Sequence, residues 1–576
     1  MRSLLRRYRS LLNDYESVLP YALLGLVGGV ASGLIVLAFE WAIVLSAGLW
    51  GVLGQGEGFE ALPRWLQFSL PVGGAIALGA VYSLLKPVDR ETGIVHVLSR
   101  MHTHYGVLPL KNALVQFIGG TFALATGQSG GREGPGVHLG GAINSLLGQW
   151  LKLPHNSLRI LIACGTAGGI SAAFQTPLAG VIFAMEVIVA EYTVAGFIPV
   201  MLAAVSASAI SHSLSGGAGV FQLPALQLGS LMELPYIVLL GFSCGLAVSL
   251  FIVISKFASR YAHWPVLLRF AIAGLLTGTL ALAAPQILGI GYDTLALTLE
   301  GELLLGALLL IAAAKLLATA VSCGVGMPIG LIGPNLLIGA CIGSIFGILA
   351  NDFDAASTSE QALYIVIGMG AAMGAVLNAP LAAMLAVIEL TQTISLSMAA
   401  MLAIVTATLT NNSIFGQRSA HQTVLRQLQR VVPEDPLNQL LHRTSVSSTM
   451  DSRVVPVPVM LAQDDVLALI EATPTWCLLE REGEDLYLVN GADLISWLRN
   501  EAAPAETTDL TQAPIRRWTA APVPAQATLR QAMDIMQAET AEAVYVSDHS
   551  HNTGKRLLLG VVTRDSVEKF TLAALL

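Results

Sequence analysis

Apolar residues run in long blocks from Val18 to about Thr410, and ionisable ones are rare inside them. Between Leu303 and Ala350 the only ionisable side chain is Lys315. Blocks of this kind have the length of membrane spans, which need roughly 20 apolar residues each. The pattern predicts a bundle of membrane helices over about the first 415 residues. Several segments, Thr92–Met101, Gly134–Leu147 and Pro334–Leu349, are short or interrupted by glycine. These predict helices that stop partway across the bilayer. Such ends are tolerated at that depth only where protein or a water-filled cavity covers them. Beyond about Gln417 charges return and the apolar runs shorten. Strand-like Leu486–Val489 precedes helix-like Ala492–Leu498, and Leu557–Val562 precedes Asp565–Phe570, with Glu501–Thr508 as a linker between them. This predicts a small soluble α/β module of two similar halves.

The apolar part repeats itself. Gly131–Gly140 matches Gly330–Gly339, 199 positions later, and the match continues through Ile143/Ile342, Ser145/Ser344 and Gly148/Gly347. Pro177-Leu178-Ala179 matches Pro380-Leu381-Ala382, 203 positions later, with Gly165/Gly368 and Glu186/Glu389 alongside. Two motifs recurring in the same order mean an internal duplication. In transporters such duplications usually have inverted topology, with the substrate site where the repeats meet. The expected organisation is a tail at 1–17, repeats at about 18–215 and 230–416, a linker at 417–442 and the soluble module at 443–576.

Composition agrees with the pattern. The chain is 54% hydrophobic and 12% charged, with a mean hydropathy of +0.68; a soluble domain has about 25% charged residues. The net charge of −8 is scattered, which excludes the basic patch of a nucleic-acid binder. Cys164, Cys244, Cys323, Cys341 and Cys477 have no metal-like spacing, so they predict free thiols without a metal or disulfide framework. Arg2, Arg6, Arg7 and Arg9 are separated from the first apolar block by Asn13, Asp14 and Glu16. That is unlike a signal peptide and predicts a cytoplasmic tail held inside by its arginines.

Gly130-Gly-Arg-Glu-Gly-Pro135 carries the candidate chemistry. Its glycines permit a tight turn, and proline is accepted in the first turn of a helix. A helix beginning near Gly134 would aim unpaired N–H groups and a positive dipole end into the membrane, which is a site for an anion. Gly330–Pro334 repeats the arrangement. An anion held by backbone dipoles is released more readily than one held by lysine, as permeation requires. Glu133, itself an anion, would compete for those N–H groups until protonated. The alternative is an ion pair between Glu133 and Arg132 at the membrane interface. For Glu186 and Glu389, present in both repeats, a structural capping role is favoured over proton handling. Gly127-Gln-Ser-Gly-Gly131 also fits the GxSxG of serine hydrolases, with His138 as the nearest base, but the second repeat offers no matching histidine.

These residues resemble the CLC family of chloride channels and chloride/proton antiporters. Gly131-Arg-Glu-Gly-Pro135 is similar to its GREGP motif, Gly330–Pro334 to its GxFxP and Glu91-Thr-Gly-Ile-Val95 to its GSGIP. The likeness covers roughly residues 20–430, and the tail resembles the paired CBS module of many members. It implies an all-α polytopic fold with an inverted repeat, plus a small cytoplasmic α/β module. It also implies a homodimer in a membrane, expected to be a bacterial inner membrane, with both termini cytoplasmic and no enzymatic activity. Glu133 falls at the gating glutamate. Thr92, Gly134, Leu331, Ile332 and His421 fall at anion-binding positions, with Thr92 in place of serine and His421 in place of tyrosine. Val187 falls where proton-coupled members carry an internal glutamate, which leans the reading towards a channel or weakly coupled conductor. In the tail, Asn490, Asp493, Thr563 and Asp565 fall near the ribose-binding positions of nucleotide-binding CBS pairs. Their departures weigh against an adenine nucleotide and favour a structural or dimer-stabilising role; no other cofactor is expected.

Overall fold

A computed structural model describes residues 18–575, apart from 53–57, 191–193, 216–225, 227, 355–358, 428–435, 482–483, 501–506 and 550–555. The arginine-bearing tail 1–17, part of the 417–442 linker and most of Glu501–Thr508 thus lie outside the described residues. The chain divides into two compact units, one helical and made of Tyr21–Trp150 and Leu158–Val432, the other built mainly from the C-terminal region from Pro433 on, with Leu151–Ser157.

Among the described residues of the helical unit, eight helices are long and apolar enough to cross a membrane. His155–Phe174 is buried over nearly all its length, whereas only a third of the Gly196–Leu214 span is. The outer helices turn Leu45, Ile118, Leu250 and other large apolar side chains outward. An apolar exterior over polar-poor helices is what a lipid solvent demands.

The duplication persists in backbone geometry. Gly127 and Gly326 both adopt positive φ, as do Gln175 and Asn378. Helix Glu133–Trp150 meets His155–Phe174 at Gly140 and Gly165, where an added Cβ on Gly140 would lie 2.2 Å from the Gly165 carbonyl. Ile332–Asp354 meets Gln361–Leu377 in the same way at Gly339 and Gly368. These glycines therefore act as contact surfaces that let backbones approach, not as helix breaks. This corrects one of the short-helix expectations: Ile332–Asp354 has 23 residues, and its apolar stretch is long enough to cross a membrane. Glu133–Trp150, with 18 residues, and Gly93–Thr103, with 11, are not among the eight candidate spans.

Glu186 and Glu389 tie the repeats together. Glu389 accepts the N–H groups of Leu178 and Ala179 at 2.9 and 2.8 Å. Glu186 accepts those of Ala382 and Leu381 at 2.9 and 3.4 Å. Each carboxylate thus caps the opening turn of the other repeat's helix, Pro177–Phe183 or Pro380–Thr391, where a negative charge is stabilised.

The C-terminal unit has two halves of one design. Val454–Pro458 runs parallel to Trp476–Arg481, which pairs antiparallel with Glu484–Asn490. Ala520–Pro524, Ala543–His549 and Arg556–Thr563 repeat that order. Helices Gln463–Ala472 and Leu529–Ala538 make the crossovers that parallel pairing requires. The repeat is written in the strands as Val-Val-Pro-Val-Pro and Ala-Ala-Pro-Val-Pro. Leu478, Leu488, Tyr545 and Val561 form a shared apolar cluster between the halves.

Candidate functional site

The two glycine-rich motifs pair with each other. Gly131 N–H donates to the Gly330 carbonyl and Gly330 N–H to the Gly131 carbonyl, both at 2.7 Å. Side chains are excluded at this junction: a Cβ on Gly330 would lie 2.8 Å from both the Gly131 oxygen and the Gly134 nitrogen. Helices Glu133–Trp150 and Ile332–Asp354 therefore begin side by side, one from each repeat.

Glu133 sits wholly buried at that junction. One carboxylate oxygen accepts the Gly333 N–H at 3.1 Å, and the other accepts the Tyr292 hydroxyl. Gly333 lies in the first turn of Ile332–Asp354, where amide donors lack helical partners. The carboxylate thus occupies the place that a bound anion would take. Arg132 points elsewhere. It pairs with Glu40 at 3.5 Å, donates to the Ala173 carbonyl and lies 5.3 Å from the Tyr292 ring centre. The Glu133–Arg132 ion pair considered from sequence is therefore replaced by Glu40–Arg132.

A cavity of about 730 Å³ opens beside the junction, and Thr92, Gly134, Leu331 and His421 share its wall. Thr92 precedes Gly93–Thr103 in extended conformation and makes no capping bond to it. Gly93 takes φ +74°, which a glycine adopts readily and which turns the chain into that helix. His421 opens the short helix Ala420–Gln427. It is buried and its Nδ1 has no hydrogen-bond partner, so it is not the solvated linker histidine that its position among polar residues allows. Ile332 is fully buried and outside the cavity wall; the contact to Glu133 comes from Gly333, one residue on.

Val187 packs half-buried against the apolar core within the π-helical turn Ala184–Val189. The hydrolase reading finds no support: Ser129 Oγ bonds Thr319 Oγ1 at 2.8 Å, and His138 bonds His96 and Gln116. In the tail, Asn490 caps Gly491–Asn500 through the N–H groups of Ala492 and Asp493. Thr563 and Ser566 cap one another, and Asp565 pairs with Lys569 at 2.7 Å. These side chains are engaged in local structure. Gly333, Tyr292, Gln116 and His96 are the site residues that sequence reasoning missed. No motif marks Tyr292, and Gly333 was passed over for its neighbours. His96 had one signal, its place one helical turn after Thr92.

The chain is similar to known proteins over most of its length. Residues 73–412 match the family model described as voltage gated chloride channel. A ClcB-like chloride channel protein of Ralstonia nicotianae is 31% identical over 68% of this chain and 92% of its own. The H+/Cl− exchange transporter ClcA of Vibrio cholerae is 28% identical over 75% of this chain and 91% of its own. A crystal structure of a eukaryotic CLC transporter is 20% identical and superposes with a TM-score of 0.56, covering 98% of this chain and 99% of that one. That last likeness extends the shared fold through the C-terminal unit.

Proposed function

The chain belongs to the voltage gated chloride channel family, whose members carry anions across membranes, and we propose that it passes chloride and similar monovalent anions along the cavity beside Glu133, with that carboxylate as the gate. One observation carries the reading: Glu133 accepts the Gly333 N–H at a helix start built for an anion. Protonation or displacement of the carboxylate vacates that donor for a permeant ion.

Valine at position 187 cannot hold a proton, and the neighbouring Glu186 is committed to the Leu381 and Ala382 amides. Both features favour channel-like or weakly coupled conduction. Coupled chloride/proton exchange is the second reading, favoured by the name of the ClcA relative. The protein works as a homodimer in a bacterial inner membrane with both termini cytoplasmic, and its CBS-like pair serves assembly instead of nucleotide sensing. The test is reconstitution into liposomes with parallel chloride and pH recording. Chloride efflux without uphill proton movement is the expected result. A chloride gradient that drives protons uphill would instead establish exchange, and absence of any anion flux would reject transport.

A further inference from the structure

Two guanidinium groups share the cavity wall with Thr92, and the gate uses neither. Arg90 closes the short turn Pro87–Arg90, two residues before Thr92. Arg269 stands in the first turn of helix Val266–Ala281. Both are half-buried, and a charge withdrawn from water is costly unless it is paired.

Their bonds go to the backbone. Arg90 Nε and Nη2 donate to the Leu85 carbonyl at 2.9 and 2.6 Å. That carbonyl lies just past the end of helix Arg64–Leu84, where a cation is favoured. Arg269 Nη1 donates to the Val325 carbonyl at 2.9 Å, and its Nε is buried with no hydrogen-bond partner. A guanidinium carries five N–H donors, so both keep donors in reserve. The two are also close enough that the charge of Arg90 opposes that of Arg269. Glu91 is the one acidic residue in the described part of that wall. Among the described residues neither arginine forms an ion pair with a carboxylate. Two cations thus face one cavity without a counter-ion between them.

We propose that Arg90 and Arg269 form a second anion site in the cavity wall, which takes a doubly charged tetrahedral oxyanion, sulfate or hydrogen phosphate, and that this ion blocks the passage of chloride. The planar fork of arginine matches the paired oxygens of such an ion, a geometry that monatomic chloride does not have. Two guanidinium charges also balance the two charges of the oxyanion. Conduction needs a bound ion that leaves readily, and an ion held by two guanidinium groups does not. The site stands on the arginines alone; the block rests on the reading of the cavity as the anion route.

The experiment is titration of sodium sulfate into the full purified chain by calorimetry, at pH 7.5, low chloride and constant ionic strength. We expect saturable binding to the wild-type chain. Arg269→Gln or Arg90→Gln should weaken it about tenfold or more. Arg269→Lys, which keeps the charge without the fork, should fall between. Equal affinity in the wild type and both Gln variants, or no saturable binding to the wild type, would overturn the site. Should the variants fail to fold, a selenate soak of wild-type crystals read by anomalous diffraction decides the same point. A peak between the two guanidinium groups is expected, and clear protein density without one would overturn the proposal. Lipid headgroups carry related phosphate chemistry, so the titration is repeated with phosphatidylglycerol in the micelles. Unchanged sulfate affinity is expected; its loss would give the site to lipid and overturn the free-ion assignment. In liposomes, sulfate should slow chloride efflux through the wild type and lose that effect in the Gln variants. Efflux indifferent to sulfate in every chain would overturn the block. No chloride efflux from any chain would overturn the anion route and leave the sulfate site standing.

Discussion

Replacing Glu133 with Gln changes one atom and removes one charge, which makes it the sharpest perturbation of the gate. In the wild-type chain the carboxylate accepts from Gly333 N–H and Tyr292 O–H at a buried helix start. A glutamine keeps the shape and can still accept from Gly333. It loses the charge assistance that separates a bond to an ion, about 1.5–3 kcal/mol, from a neutral one, about 1 kcal/mol. Two such contacts lose about 2 kcal/mol together, and the dipole of Ile332–Asp354 adds about 1 kcal/mol. The closed gate is therefore weakened by about 3 kcal/mol, or about 100-fold in occupancy. Chloride binding measured by calorimetry at pH 7.5 should tighten by about that factor. Chloride efflux from liposomes at neutral pH should rise towards its acid-pH rate and lose the part of its pH dependence that the gate supplies. Unchanged affinity and an unchanged pH profile would refute the competition argument.

Four further outcomes follow from particular contacts. Burial, then the negative charge of Asp293, pushes the Glu60 carboxyl up to about 8. A carboxyl raised in the folded state stabilises it fully below its ordinary value near 4.5, and that contribution is lost as pH rises through about 8. The melting temperature in detergent should therefore fall over that interval, and Glu60→Gln should flatten the fall. Glu389→Ala, which orphans the Leu178 and Ala179 amides, should destabilise by about 1–3 kcal/mol, read as a lower melting temperature; no change would reject its capping role. Gly339→Ala would press a methyl to 2.2 Å from the Gly368 carbonyl and should cost about 1–3 kcal/mol, again read by melting. Adding ATP to the full chain should leave its melting temperature unchanged, because binding to the folded state alone would raise it.

Much of this architecture was written in the chain because its cause is local or periodic. Apolar blocks mark the spans, and the 199-residue repeat of Gly131–Pro135 at Gly330–Pro334 anticipates two adjoining helix starts. The Glu186/Glu389 correspondence anticipates their shared role, although the crossing of each carboxylate to the other repeat needed coordinates. Helix lengths were less legible. Gly140 and Gly339 look like breaks in one dimension, whereas in three they are the points where backbones touch. Tyr292 lies 159 residues from the carboxylate it holds, and no spacing rule links them. His96, Gln116 and His138 likewise come from three segments that only packing brings together. Side-chain partners across elements are tertiary facts, and a single sequence carries them only where a motif has already fixed the geometry.

A bromide soak of Glu133→Gln crystals, read by anomalous diffraction, addresses the claim that an anion and the Glu133 carboxylate contend for one place. The account predicts a bromide peak within hydrogen-bond distance of the Gly333 nitrogen. Clear density for the protein with no anion at that nitrogen would contradict it.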